Sequence, residues 1–154
     1  MANGIEIPES IQREHEAIHS ALIAATRAPG AVGTAAQALA DVLHPHFVRE
    51  EEIALPPLAL LKPLSAGETL PEGTTTMVSE MTHALRAELP RMLEEHARIR
   101  TAVAALRSAA EAAGADAEVE LADELALHAR TEEEVLYPAA LLVGDLLRAR
   151  RQPR

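Results

Sequence analysis

The stretch His46-Phe47-Val48-Arg49-Glu50-Glu51-Glu52-Ile53 occurs again 82 residues later, as His128-Ala129-Arg130-Thr131-Glu132-Glu133-Glu134-Val135. Each copy reads H-x-x-x-E-E-E-[I/V]-x-x-P. A shorter pair precedes them, Glu14-His15-x-x-Ile18 and Glu95-His96-x-x-Ile99. Histidine and glutamate are common metal-binding residues. The duplication therefore predicts a chain of two similar halves that share one site with two metal ions.

The composition predicts an all-α protein. Hydrophobic residues make up 48% of the 154 residues, but aromatic residues make up only 1%. Much of the hydrophobic content is alanine and leucine, which favour helices, whereas residues that favour strands are sparse. The length suits a single domain, which we place at residues 1–154.

Apolar residues recur at helical spacing in four segments, which predicts four main helices. The first runs from Pro8 to about Arg27. Thr34 and Gln37 have the spacing of a capping box, which predicts that the second helix opens at Thr34. The resulting halves are helix pairs at about residues 5–61 and 75–147, joined by a linker at about 62–74. We expect a four-helix up-down bundle made of two pseudo-symmetric pairs.

The second half begins with a helical segment from about Thr75 to Glu88, after which Pro90 starts or kinks the third helix. Gly114 closes that helix, and Asp116 is placed to cap the fourth. The fourth helix has a regular stripe that should face the core. Its members are Leu121, Leu125, His128, Glu132, Val135, Ala139 and Leu142.

Charge and residue content exclude several classes of function. The net charge is −10 and there is a single lysine, so no basic face for nucleic acid is expected. The absence of cysteine excludes thiolate zinc sites, iron–sulfur clusters and cysteine nucleophiles. No apolar stretch is long enough to span a membrane, and the first residues do not resemble a secretion signal. We therefore expect a soluble cytoplasmic protein.

Six residues of the repeat lie on stripes that should face the core: His15, His46, Glu50, His96, His128 and Glu132. A single histidine on such a stripe is usually a hydrogen-bonded core residue, and a single H-x-x-x-E is commonly a surface pair. A buried carboxylate, however, costs several kcal/mol unless it is paired or bound to metal. Six metal-binding residues in two matching sets favour a buried site for two cations.

The same residues suggest how the site is built. Two glutamates bridging two metals, with two histidines on each and a solvent-derived oxo or hydroxo bridge, give each metal five ligands and one open position. A mixture of imidazole and carboxylate suits iron, with manganese or zinc as alternatives. The remaining glutamates of the E-E-E runs, Glu51, Glu52 and Glu134, are expected to face solvent.

The pattern H … H-x-x-x-E, present twice, resembles that of the hemerythrin-like, or HHE cation-binding, domains. The E-x-x-L-Y-P sequence ending at Tyr137 and Pro138 is similar to the family as well. The resemblance implies a four-helix bundle holding a non-haem di-iron centre that binds dioxygen or a related small molecule. It also implies that His15 and His46 hold one iron, that His96 and His128 hold the other, and that the two glutamates bridge them.

Three further residues are candidate ligands. Oxygen-carrying hemerythrins have H-x-x-x-H on the third helix, where this chain has Arg100, while His19 occupies the mirror-related position on the first helix. His19 is either a third histidine ligand or an edge residue bonded to backbone or water. Glu133 is the alternative to Glu132, and Tyr137 is a hydrogen-bond donor, a phenolate ligand or a packing residue.

Three functions remain open at this point. The first is reversible binding of dioxygen or nitric oxide in a pocket lined by apolar residues. The second is an enzyme that consumes peroxide or nitric oxide at the same centre, and the third is a non-catalytic iron-handling or iron-sensing module. The oligomeric state is left open. The residues expected to line the pocket are Ile11, Ile18, Leu43, Ile99, Val103 and Leu125.

Overall fold

The structure is a computed structural model and describes residues 4–151. Residues 1–3 and 152–154 of the predicted domain lie outside the described residues. All regular elements in the described range are helical. In chain order they are α1 (Glu9–Thr26), α2 (Gly30–Ile53), a 3-10 segment (Pro56–Leu60), α3 (Leu61–Ser65), α4 (Glu72–Ala113), α5 (Asp116–Thr131), a π-helical segment (Glu132–Leu136) and α6 (Tyr137–Arg151).

Four long helices form the bundle. The segments α5, Glu132–Leu136 and α6 follow one another without a break and act as its fourth helix. The first helix, α1, packs against α2 and α5, α2 packs against α4, and α4 packs against α5 and α6. Short connections follow α1 and α4, so these helices are antiparallel to their successors. The predicted all-α four-helix bundle, made of two helix pairs, is confirmed.

The core consists of clusters of buried apolar side chains, and the predicted metal-binding residues lie where the two largest meet. Along α2, the first cluster ends at Phe47 and the second begins at Ile53. Along α4, the second cluster contains Met92 and the first contains Ile99. Each fully buried aliphatic side chain stabilises the fold by roughly 1.5–3 kcal/mol. The polar site is thus held between two apolar layers.

Two predicted helix caps are wrong. The second helix begins at Gly30, and Thr34 Oγ1 donates back to the Gly30 carbonyl at 3.2 Å instead of capping. A Cβ atom on Gly33 would lie 1.9 Å from the Ala28 carbonyl oxygen, so glycine allows the chain to turn closely there. The fifth helix begins at Asp116, whose side chain makes no capping bond but lies in the first turn, where a carboxylate favours the helix dipole.

The third long helix starts earlier than predicted. It begins at Glu72 and includes Pro90 as an internal residue, so Pro90 does not start a helix. Its 42 residues end at Gly114 in the left-handed conformation, with φ 66°, which confirms the predicted stop. Part of the predicted 62–74 linker is helical, in α3 and at the start of α4. The division into halves at 5–61 and 75–147 remains a prediction.

Beyond Glu132, the stripe predicted for the fourth helix does not face the core. Val135 and Leu142 are 54% and 66% exposed. In the π-helical segment, the Tyr137 N–H donates to the Glu132 carbonyl, five residues back, which adds one residue to a turn. All following residues are therefore rotated. The buried positions are Tyr137, Ala140, Val143, Gly144 and Leu147.

The first half carries a matching feature. The Leu55 N–H donates to the Glu50 carbonyl at 3.0 Å, again across five residues. Leu55 and Tyr137 are equivalent positions of the repeat. Both copies of the motif thus contain a wider turn after their first glutamate, and the buried residue that ends this turn is Leu55 in one half and Tyr137 in the other.

Candidate metal centre

The structure brings the six predicted ligand residues together in the interior. They come from all four long helices, and none is more than 4% exposed. His46 and Glu50 share one face of α2 because they are one turn apart, and His128 and Glu132 do the same on the fourth helix. The repeated H-x-x-x-E spacing therefore places both carboxylates in the same interior space.

The ligand atoms form two groups that share the two carboxylates. One contains His15, Glu50, His128 and Glu132, and the other contains His46, Glu50, His96 and Glu132. Glu132 Oε1 lies 2.7 Å from His128 Nε2 and 3.5 Å from His15 Nε2, while its Oε2 lies 3.2 Å from His96 Nε2. Glu50 likewise reaches His46 Nε2 at 2.9 Å and His15 Nε2 at 3.8 Å. Each glutamate therefore spans both groups.

The histidines are grouped differently from the pairing that the resemblance implies. His15 lies beside His128, with ring centroids 4.9 Å apart, and His46 lies beside His96, with centroids 4.6 Å apart. The expected pairs were within each half, and the observed pairs are between halves. Both arrangements are compatible with the symmetry of the repeat, so the sequence does not distinguish between them. The packing of the helices determines which histidines lie side by side.

A second layer of carboxylates orients all four imidazoles. The distances from Nδ1 to carboxylate oxygen are 2.7 Å for His46 and Glu95, 2.7 Å for His128 and Glu14, 2.9 Å for His96 and Glu133, and 3.4 Å for His15 and Glu51. An Nδ1–H that donates to a carboxylate leaves the Nε2 lone pair directed at the interior. This arrangement is characteristic of metal-binding histidines.

Two glutamates of the E-E-E runs belong to this second layer. Glu133 does not enter the site; it accepts from His96 and from Arg100, whose Nη1 lies 2.6 Å from the same oxygen. Glu51 is half exposed, as expected, but it also contacts His15. The roles of Glu14 and Glu95 had a signal in the sequence, because each immediately precedes a histidine in the shorter repeat.

Tyr137 lies in the site and does not merely pack at a helix end. It is 1% exposed, and its hydroxyl donates to Glu50 Oε1. The Tyr137 hydroxyl oxygen also lies 3.1 Å from His96 Nε2 and 3.3 Å from His46 Nε2. Burial first, and then the negative charge of Glu50, raise the pKa of Tyr137. Its proton is therefore retained, and the hydroxyl acts as a donor on the His46–His96 side.

His19 and Arg100 lie outside the cluster. His19 is exposed and faces His44, with ring centroids 5.9 Å apart. The Arg100 side chain is 51% exposed and pairs with Glu133. His44 and His83 are exposed. Neither half of the site therefore has a third histidine in this structure.

The polar atoms of the interior fit a bound cation. Among residues 4–151, five buried side-chain atoms lack a well-aligned hydrogen bond, and four of them belong to the cluster: His15 Nε2, Glu50 Oε2, His128 Nε2 and Glu132 Oε1, of which the last two lie 2.7 Å apart. Buried polar atoms without partners are costly and need an explanation. A metal ion coordinated by these nitrogen and oxygen atoms would satisfy them, and the donor set suits a first-row transition metal.

Carboxylates raise the pKa of His46, His96 and His128. Burial alone lowers the pKa of His96, but hydrogen bonds to Glu132 and Glu50 outweigh it and raise it to about 10. Burial also lowers the pKa of His128, and the bond to Glu132 raises it to about 9. Burial opposes the ionisation of Glu132, but His128, His15 and His96 together hold its pKa well below the ordinary value. In the metal-free protein, protonated histidines therefore balance the negative charge of the buried carboxylates.

The fold and site define a class: a four-helix bundle with a buried His/Glu metal-binding site. The family model of the hemerythrin HHE cation binding domain matches residues 87–152. This stretch is hemerythrin-like, as the sequence predicted, and the first half carries the same motif. No curated protein and no solved structure matches the chain. None of the described helices is long and apolar enough to cross a membrane.

Proposed function

We propose that the protein is a non-haem di-iron protein that binds dioxygen or nitric oxide inside the bundle. One observation carries the proposal: two buried carboxylates lie among four inward-facing imidazole nitrogens, each imidazole oriented by an outer carboxylate. This construction holds ligands in place before metal binds. Six such residues suit two cations that share two bridging groups.

The proposed ligands are the six buried residues of the cluster. Glu50 and Glu132 are assigned as bridges because each reaches histidines of both groups. The imidazole and carboxylate mixture suits iron, and manganese and zinc are the alternatives to be tested. The proposed ligands are His15, His46, Glu50, His96, His128 and Glu132.

Bound iron would supply redox chemistry and open positions for a small ligand. The chain provides the surroundings. Leu125 and Ile99 belong to the apolar layer on one side of the site, and Met92 to the layer on the other, which limits access of water. Tyr137 offers the proton of its hydroxyl toward the interior. Arg100 is turned outward, so it leaves the centre without a fixed cation.

The test is metal analysis combined with spectroscopy. We expect two iron ions per chain, and a reversible visible charge-transfer band when oxygen is admitted to the reduced protein. Glu50→Gln should lower the iron content, whereas Glu134→Gln, an exposed residue of the same kind of E-E-E run, should leave it unchanged. One metal per chain in a fully loaded sample would contradict the dinuclear proposal.

A second candidate is an enzyme that consumes peroxide or nitric oxide. Tyr137 favours it, because a proton donor lies within 3.1–3.3 Å of two candidate ligand nitrogens. A hydrogen-bond donor directed at the oxygen on which negative charge develops is a common catalytic device. The iron-loaded protein would then turn over peroxide, and Tyr137→Phe would slow turnover more than it changes iron content. Stable reversible binding without turnover would instead support the first candidate.

A further inference from the structure

A cavity of about 260 Å³ opens between α1 and α2, beside the candidate metal centre. Its buried wall is apolar and includes Leu22, Leu43 and Phe47, each at most 6% exposed. The cavity also has polar lining residues, which include two exposed histidines and an aspartate. These polar residues are His19, Gln37, Asp41 and His44.

Phe47 lies between this cavity and the centre. Its ring stacks on the ring of His15, with centroids 4.1 Å apart and planes inclined by 14°. The same ring meets His128 edge-on, with centroids 5.8 Å apart. Because Phe47 also lines the cavity, one aromatic side chain separates the cavity from the His15–His128 group.

The two sides of the centre differ in what they offer to a small molecule. On the His46–His96 side, the Tyr137 hydroxyl occupies the interior and is hydrogen-bonded to Glu50. On the other side, His15 Nε2 makes no hydrogen bond, and His128 Nε2 contacts only Glu132 Oε1, at 2.7 Å. The repeat places alanine, Ala129, at the position equivalent to Phe47. The aromatic barrier is therefore present in one half only, on the side where His15 Nε2 makes no hydrogen bond.

The chemistry of the cavity selects an uncharged molecule. A charged species passing Leu22, Leu43 and Phe47 would lose its hydration without gaining a partner, which is costly. A diatomic gas carries little such cost, and the rim offers hydrogen bonds to water at the mouth. A cavity of about 260 Å³ has room for several diatomic molecules.

We propose that this cavity is a binding and entry site for a small uncharged ligand, and that Phe47 determines which ligands pass. The ring must turn away from His15 before a molecule in the cavity can reach the centre. The inference rests on the proposed function, because it requires a ligand that goes to the buried site. It assigns Phe47 a role in access, and none in metal binding.

The first experiment measures the association rate of nitric oxide with the reduced, iron-loaded protein by stopped-flow absorbance. Phe47→Ala should raise the rate constant about tenfold, and Phe47→Trp should lower it by a similar factor. Leu106→Ala, a truncation in the same buried cluster but away from the cavity, controls for general loosening. Equal rates in the three proteins with phenylalanine, alanine or tryptophan at position 47 would overturn the inference. If the wild-type protein binds no nitric oxide, the proposed function itself is contradicted.

The second experiment does not depend on iron. Crystals of the metal-free protein are pressurised with xenon, an uncharged probe that enters apolar cavities. We expect xenon beside Leu22 and Leu43 in the wild type, and additional xenon next to His15 in Phe47→Ala. Absence of xenon from this cavity in the wild type, or an unchanged pattern in the variant, would overturn the inference even if iron and nitric oxide bind as proposed.

Discussion

The Tyr137 hydroxyl on α6 donates a hydrogen bond to Glu50 Oε1 on α2, across the interior of the bundle. The repeat-equivalent residue of Tyr137 is Leu55, which is fully buried and has no polar atom in its side chain. Phe47 and Ala129 form a second unequal pair. The proposed ligands are therefore related by approximate two-fold symmetry, but the residues around them are not. The hydroxyl of Tyr137 is present on one side of the centre only.

Removing the Tyr137 hydroxyl should destabilise the metal-free protein. In Tyr137→Phe, Glu50 Oε1 loses a buried donor but keeps His46 Nε2 at 2.9 Å, so we expect a loss of about 1–2 kcal/mol. Urea unfolding followed by circular dichroism measures this loss. Leu55→Met, a change of similar size at the equivalent position, should cost less than about 1.5 kcal/mol. A free energy of unfolding that is unchanged in Tyr137→Phe would show that the bond contributes nothing.

The outer carboxylates should control metal affinity. Glu95→Gln weakens the hydrogen bond to His46 Nδ1 without touching a proposed ligand, and an affinity loss of about 10–100-fold is expected. Glu94→Gln is the matched control, because Glu94 is exposed and adjacent in sequence. Competition against a chromophoric chelator, with zinc as the probe, measures both variants. Equal affinities in the two variants would argue against a role for this second layer.

Metal binding should release protons and strengthen as the pH rises. His96 and His128, with pKa values raised to about 10 and 9, are protonated at pH 7 in the metal-free protein. A metal ion needs the neutral imidazoles and must displace those protons. Zinc affinity should therefore increase from pH 7 toward pH 9. Calorimetry in buffers of different ionisation enthalpy counts the protons released, and a count of zero at pH 7 would contradict this account.

The same raised pKa values give the opposite trend for stability without metal. Protonated histidines paired with buried carboxylates stabilise the folded state fully below the pKa of the unfolded residue, about 6.5. That contribution declines as the pH rises through the folded values of about 9 and 10. Urea midpoints of metal-free protein should fall across this range, while those of zinc-loaded protein should change much less.

Much of the site could be predicted from the sequence because the spacing of its residues corresponds to one turn of an α-helix. H-x-x-x-E places histidine and glutamate one turn apart, and its repetition identified His46, Glu50, His128 and Glu132 without knowledge of the packing. Burial of these residues could be predicted because apolar neighbours continue the same stripes. Glu95 was recognisable in the repeat, but its contact with His46 depends on how two helices cross, which no spacing within one helix reveals.

The sequence left the role of Tyr137 open because its position depends on the π-helical segment. An ideal helix carries the stripe from Glu132 to Val135, and the single added residue in the turn directs Tyr137 inward instead. The histidine pairing was missed for a related reason. Grouping His15 with His46 or with His128 is equally symmetric, and only the packing of α1 against its two neighbours distinguishes them.

The shifted register of α6 can be tested with two adjacent residues. Leu142 belongs to the stripe extrapolated from the sequence but is 66% exposed, whereas Val143 is 3% exposed. Leu142→Gln should change the free energy of unfolding by less than about 0.5 kcal/mol. Val143→Gln buries an amide among Leu60, Leu64 and Val78 and should cost about 2–4 kcal/mol. Urea unfolding of the two variants tests the register of α6. If the helix were an uninterrupted α-helix, Leu142 would face the core, and Leu142→Gln would destabilise the protein more than Val143→Gln.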